Sequence, residues 1–285
     1  MTDGAIDYWC NLFTPEGIDK CFVQPDELRE AFEWLNISHH LKGFDVPSFL
    51  KVLDAAGVDK VMVPAAQMAA FDSKQLIWDL SAAEIAAVCV QAPHRVHGLA
   101  GVNPWKRMDG VRAVEHAVKE HGFVGAHIHP YGFDLPVNDA AYYPFYAKCV
   151  ELDIPVVIQI GHTAEYMPSD VARPLLLDRV ALYFPELKIV AAHTGWPWVE
   201  ELVAMAWKHA NLYIGTSAHA PKYWDKKLLQ FINSRGRTKV LYGSDFPVLL
   251  HGESIGQINE LGLRDGSKQA LLRDNAARIF TRLES

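Results

Sequence analysis

Cysteine is scarce in this chain: 285 residues hold four. Cys10, Cys21, Cys89 and Cys149 are scattered with no Cys-x-x-Cys pair. This argues against a disulfide framework or a cysteine zinc cluster and predicts reduced thiols in a cytoplasmic protein. Long apolar runs are missing too. None approaches the roughly 20 residues that cross a bilayer, so no membrane partner is expected. Positive charge is neither abundant nor clustered: 27 Lys and Arg stand against 34 Asp and Glu, a net charge of −7. Nucleic acid and anionic membrane surfaces are therefore unfavourable partners. Met1 to Cys10 carry no basic stretch followed by an apolar one, which predicts no signal peptide. No Gly-x-Gly-x-x-Gly follows the first apolar run, which weighs against a dinucleotide-binding sheet.

What is present is core-forming material. Half of the residues are hydrophobic and 21% are charged, enough for one domain over residues 1–285. Eight short apolar runs read as strands: Ala5 to Trp9, Lys60 to Pro64, Val96 to Val102, Phe123 to His129, Pro155 to Ile160, Leu187 to Ala192, Asn211 to Gly215 and Lys239 to Gly243. Most lack polar alternation, as expected of strands buried on both faces. Between them lies helical spacing: Val46 to Ala56, Gln75 to Ala92, Met108 to His121, Ala140 to Leu152, Val171 to Phe184, Trp198 to His209 and Pro221 to Ser234. Short helices near Ser267 to Leu272 and Asp274 to Leu283 close the chain. Eight βα units predict an α/β fold, a distorted (β/α)8 TIM barrel. The stretch over residues 11–44 is long for a barrel loop and rich in aromatics. It is expected to cap the mouth, with a short helix near Asp26 to Trp34.

In such a barrel the site forms at the C-terminal strand ends. The strand assignment places Asp7, Trp9 and Asn11 there from strand one, Asn103 from strand three and His127 and His129 from strand four. His162 follows strand five and His193 strand six. Thr216, Ser217 and His219 follow strand seven, and Asp245 follows strand eight. His193, Asp245 and His162 form the catalytic candidate set, suited to acid–base work near neutral pH. His162 and Asp245 also have the donor types for a divalent metal. His127 and His129, two apart on one strand, point the same way; such a pair could hold a metal, bind a carboxylate or relay protons. Trp9, Asn11, His127, His129 and Trp196 are the substrate-binding candidates, and Lys106 is a candidate carboxylate clamp. His39, His40, His94, His97, His121, His209 and His251 fall on loops or helix ends and read as surface histidines.

Gly125 to Pro130, Ile160 to His162, Ala192 to Glu201, Asn211 to Ser217, Gly243 to Pro247 and Asp274 to Phe280 together give the chain a resemblance to the amidohydrolase-related (amidohydrolase-2) family. This is the group of aminocarboxymuconate-semialdehyde and γ-resorcylate decarboxylases. The resemblance runs nearly end to end and implies a distorted (β/α)8 barrel. It implies that His162 matches a metal ligand, His193 the histidine that handles protons or activates water, Asp245 a metal ligand or base, and His129 the strand-four histidine before proline. Strand one departs from the pattern. The family usually has an aspartate followed by a His-x-His pair, whereas here Trp9 and Asn11 hold those two positions. Indole N–H only donates, and an amide oxygen is a weak zinc ligand. The implied cofactor is therefore none, or a weakly held Zn, Mn or Mg. The implied activity is hydrolysis or carbon–carbon lyase (decarboxylase-type) chemistry on a carboxylated, cyclic or aromatic small molecule. The alternative is a barrel that binds a ligand without turnover. A homodimer through the barrel helices is compatible with either.

Overall fold

The computed structural model describes residues 4–25, 28–34, 37 and 40–284. Eight parallel strands form one sheet in chain order. They are β1 (Ala5–Asp7), β2 (Val58–Pro64), β3 (Val96–Gly101), β4 (Gly125–Ile128), β5 (Val156–Gln159), β6 (Ile189–Ala192), β7 (Leu212–Gly215) and β8 (Val240–Leu241). The sheet curls until its ends meet. Tyr8 N donates to the Tyr242 carbonyl at 3.1 Å, and Cys10 bridges Phe246 in parallel. The fold is thus the distorted barrel the strand pattern predicts, with an insertion after β1.

Period-two alternation divides the core into two layers. Val61 and Val63, Val156 and Ile158, and Ile189 and Ala191 pack outward against the helices. Met62, Leu99, Val157, Val190 and Leu241 fill the barrel interior with Ile6 and Tyr8. Each fully buried aliphatic side chain contributes about 1.5–3 kcal/mol. The same alternation sets the site: His127, paired in register with the interior Val157, and Gln159, two residues beyond Val157, turn toward the axis.

Two sequence assignments are corrected. Gln75 to Ala92 is not one helix. Leu76–Asp79 pairs antiparallel with Gln67–Ala69 as a hairpin, and the helix covers only Ala82–Cys89. The break comes from a capping box: Ser81 Oγ accepts from Glu84 N while Glu84 accepts from Ser81 N, which starts the helix there. After β8 a helix over His251–Glu260, unforeseen in the sequence, precedes the short helix over Asp265–Gln269.

The insertion contains a helix over Arg29–Trp34; Asp26, the expected start, lies outside the described residues. Trp78 Nε1 donates to the Cys21 carbonyl at 2.7 Å, and Phe22 packs on Phe32 and Trp78 at 5.0 and 5.4 Å. These contacts clasp the cap to the hairpin. Among the described residues no helix is long and apolar enough to cross a membrane.

Candidate active site

A cavity of about 950 Å³ opens at the C-terminal strand ends. Asn11, Gln159, His162, Glu165, His193, Trp196, His219 and Asp245 supply most of its polar lining, and Phe22, Phe32, Trp34, Phe71, Trp78 and Tyr166 its aromatic lining. Five of those fourteen, Phe22, Phe32, Trp34, Phe71 and Trp78, come from the cap and hairpin.

The structure distributes the sequence candidates in depth. His193, His162, Asp245, Asn11 and Trp196 line the cavity; Trp9, His127 and His129 are not among its lining residues and are buried behind it. His162 is exposed at the rim, with Trp196 edge-on at 5.3 Å. His127 and His129 take different hydrogen-bond partners. His127 sits under the Trp9 ring at 4.6 Å with Gln159 at 3.3 Å from its Nε2, and burial pushes its pKa well down. His129, one residue past β4, accepts from Gly132 N at 3.0 Å and reaches toward Glu165, 3.9 Å away. Lys106 is exposed and outside the lining.

His193 and Asp245 both have left-handed backbones, φ 62° and 59°. Non-glycine residues rarely adopt that conformation, and it concentrates at functional sites. His193 Nδ1 lies 3.0 Å from Ser217 Oγ. Burial first, then His219, pushes its pKa down to about 3, so the ring is neutral at pH 7. Asp245 is pushed the other way. Desolvation raises its carboxyl from 3.8 to about 8, and Glu165 and Asp7 add to the rise.

Glu165 was not legible as a site residue in the sequence. It sits half-buried in the loop after β5, with side-chain exposure of 18%. Burial alone would raise its carboxyl, but His129 and its own loop's N–H outweigh that and hold it below the usual range. Its one sequence signal is position: a carboxylate three residues past a strand-end histidine, in a βα loop.

His251 and His209 are corrected from surface to interior. His251 Nε2 is 2.8 Å from Asp7 Oδ2 and His209 Nε2 is 2.6 Å from Asp178 Oδ1; both rings are buried. Asp7 also accepts from Trp9 N, Ser244 N and Ser244 Oγ. It is a structural carboxylate that ties β1 to the segment after β8.

The hydrogen bonds test whether Asp245 and His162 fit a metal. Trp9 Nε1 donates to Asn11 Oδ1 at 3.3 Å, and Asn11 Nδ2 donates to Asp245 Oδ1 at 2.8 Å and to the Phe246 carbonyl at 3.0 Å. Asn11 therefore turns N–H groups toward Asp245 and its oxygen toward the indole. Strand one presents donors where a cation needs acceptors, and the donor set does not fit. A different group has ligand types in reach: Asp7, Cys10 and His251 bring ligand atoms within 4.8 Å of one another, fully buried. This trio is the candidate for a weakly held ion among the described residues. It lies outside the cavity lining, and burial raises the Cys10 thiol well above its usual range, which opposes the thiolate a metal needs.

With the fold and this geometry in hand, the chain can be compared with known proteins. It is 25% identical, over 92% of its length and 86% of the relative's, to a 2-keto-4-carboxy-3-hexenedioate hydratase from Sphingobium. Its fold matches an uncharacterized TIM-barrel protein from Bordetella bronchiseptica at a TM-score of 0.80, with 22% identity over 99% of each chain. It also matches a manganese complex of 5-carboxyvanillate decarboxylase from Novosphingobium aromaticivorans at a TM-score of 0.73, with 17% identity over 97% of this chain and 96% of that one. The amidohydrolase family model matches residues 6–282, nearly end to end, and the chain belongs to that family of enzymes.

Proposed function

We propose that this protein is a lyase that transfers protons to a carboxylated, unsaturated or aromatic small molecule, and that its reaction is hydratase-type. One observation carries the reading: two carboxyls face one cavity with their pKa values pushed apart, Asp245 up to about 8 and Glu165 below its usual range. Such a pair divides into an acid and a base at neutral pH. Glu165, ionised, takes a proton from water. The water oxygen bonds to the far carbon of a carbon–carbon double bond conjugated with a carbonyl. The π electrons move onto the carbonyl oxygen as an enolate, which His193, neutral and lining the same cavity, accommodates. Asp245, protonated, delivers its proton to the near carbon. The sum is addition of one water, and solvent returns the proton from Glu165 to Asp245.

The same Asp245 proton, placed on a ring carbon bearing a carboxylate, would release carbon dioxide. The hydratase reading is preferred because it uses both carboxyls, whereas decarboxylation leaves Glu165 idle. The sequence relative named as a hydratase supports the same choice. No step passes through a metal; a Zn, Mn or Mg ion, if held, would sit on Asp7, Cys10 and His251. Four buried free thiols accord with a cytoplasmic setting.

The test is a panel of carboxylated enones and hydroxybenzoates incubated in isotope-labelled water and analysed by mass spectrometry. Incorporation of one labelled oxygen, abolished in Asp245→Asn and Glu165→Gln, is the expected result. Carbon dioxide release without labelled oxygen would establish decarboxylation instead. Tight binding without turnover anywhere in the panel would make the protein a binding barrel.

A further inference from the structure

A neutral imidazole carries its proton on either nitrogen, and only one choice gives an enolate a hydrogen-bond donor. The buried surroundings of His193 decide between them. Ser217, two residues past β7 and fully buried, places its Oγ 3.0 Å from His193 Nδ1. A serine hydroxyl has one proton and two lone pairs. The backbone N–H of His193 takes one lone pair at 3.4 Å. Tyr8, also fully buried, brings its phenol against the same Oγ, and the Ser217 backbone N–H also reaches the phenol oxygen, which leaves Oγ as the acceptor at hand for the phenol proton. A buried phenol proton needs an acceptor, so Tyr8 donates into the second lone pair. The serine proton is then left to His193 Nδ1. The opposite arrangement, with the imidazole proton on Nδ1, strands a buried proton either way. If Nδ1–H donates to Oγ, the serine proton goes to Tyr8 and the phenol proton is unpaired. If it donates to the Ser217 carbonyl beside the ring, the serine proton loses its acceptor.

We propose that Tyr8 and Ser217 are positioning residues that lock His193 in the tautomer with a bare Nδ1 and a protonated Nε2, so that it meets the substrate as a hydrogen-bond donor. The catalytic value of that donor rests on the lyase reading above; the tautomer itself does not. The barrel is shaped around this relay. Gly215 and Gly243 flank Tyr8, and a Cβ at either position would collide with its ring. The Trp9 ring lies against His193 at 5.0 Å, and burial keeps the imidazole neutral. His193 is therefore a donor rather than the water-activating base that the family resemblance implies, which leaves the base role to Glu165.

The experiment is nitrogen NMR on the full chain carrying isotope-labelled histidine, without substrate, with His193 assigned by loss of its signals in His193→Gln. The expected spectrum at pH 7 has a bare Nδ1 and a protonated Nε2. Ser217→Ala should give a mixed or reversed tautomer, and Ser217→Thr, which keeps the hydroxyl, should restore it. Tyr8→Phe removes only the phenol oxygen and provides a second variant should Ser217→Ala not fold; it too should weaken the preference. With a substrate in hand, Ser217→Ala should lower kcat about tenfold or more with KM little changed. A protonated Nδ1 in the wild type, or an unchanged tautomer in both folded variants, would overturn the proposal. The expected tautomer in a protein that turns nothing over would refute the lyase reading and leave this one standing.

Discussion

Replacing Asp245 by asparagine isolates the energetic cost of its burial. Asparagine has nearly the same shape and can still accept the Asn11 Nδ2 hydrogen bond, 2.8 Å long in the wild type, so the fold should persist. The carboxyl has an ordinary value of 3.8 and a folded value of about 8. Between these two pH values the folded chain holds a proton that the unfolded chain has released, so the unfolded state binds fewer protons. Raising the pH across this window therefore favours unfolding, by about 1.4 kcal/mol per pH unit. The full window amounts to about 6 kcal/mol. Asp245→Asn lacks this term and shares every other titration. Its stability advantage over the wild type should thus be small near pH 4, grow steadily, and level off above pH 8. Urea unfolding of both proteins at pH 5, 7 and 9 measures it. A difference that stays flat over that range would mean Asp245 is already ionised at neutral pH, and its role as proton donor would fail.

Three further outcomes follow. Asn11→Leu removes the N–H that favours the ionised form of Asp245, so the high-pH limb of the rate profile should move above pH 8; losing the buried amide's hydrogen bonds should cost about 1–3 kcal/mol in urea unfolding. Glu165→Gln should lower kcat about 10²- to 10⁴-fold and abolish the low-pH limb, because activity in the wild type falls as pH drops through the lowered Glu165 value. Manganese added after chelator treatment should leave the rate profile unchanged, since the Asp7, Cys10 and His251 group lies outside the cavity lining; a profile that requires the ion would refute the reading of the strand-one donors.

The barrel was legible because buried parallel strands leave short apolar runs, and all eight runs can be read from composition and turn residues, Ala5 to Trp9 included although Asp7 interrupts it. Asp7 is where the reading then turned out incomplete. Its four hydrogen-bond donors come from Trp9, Ser244 and His251, and two of those residues lie more than 230 positions away in a segment that local periodicity does not connect to β1. His251 reads as a surface residue for the same reason. The strand-end positions of His193 and Asp245 followed from turn chemistry, but their charge states did not, because those depend on how much water the cap and neighbouring loops exclude. Glu165 lay in an irregular loop with no periodic signal, and its partner His129 comes from the adjacent strand. Trp9 and Asn11 were visible as a departure. Whether that departure removes a metal or serves another purpose required the direction of one amide, which here aims its N–H groups at Asp245.

The separation of the two carboxyls can be tested directly by carbon NMR on protein labelled at the Asp and Glu carboxyl carbons, titrated from pH 3 to 10, with Asp245→Asn and Glu165→Gln providing the assignments. The Asp245 carboxyl should titrate at about 8 and that of Glu165 below its ordinary 4.5. If both titrate together in the usual carboxylate range, the cavity holds no acid and base at neutral pH, and the proton-transfer account is contradicted.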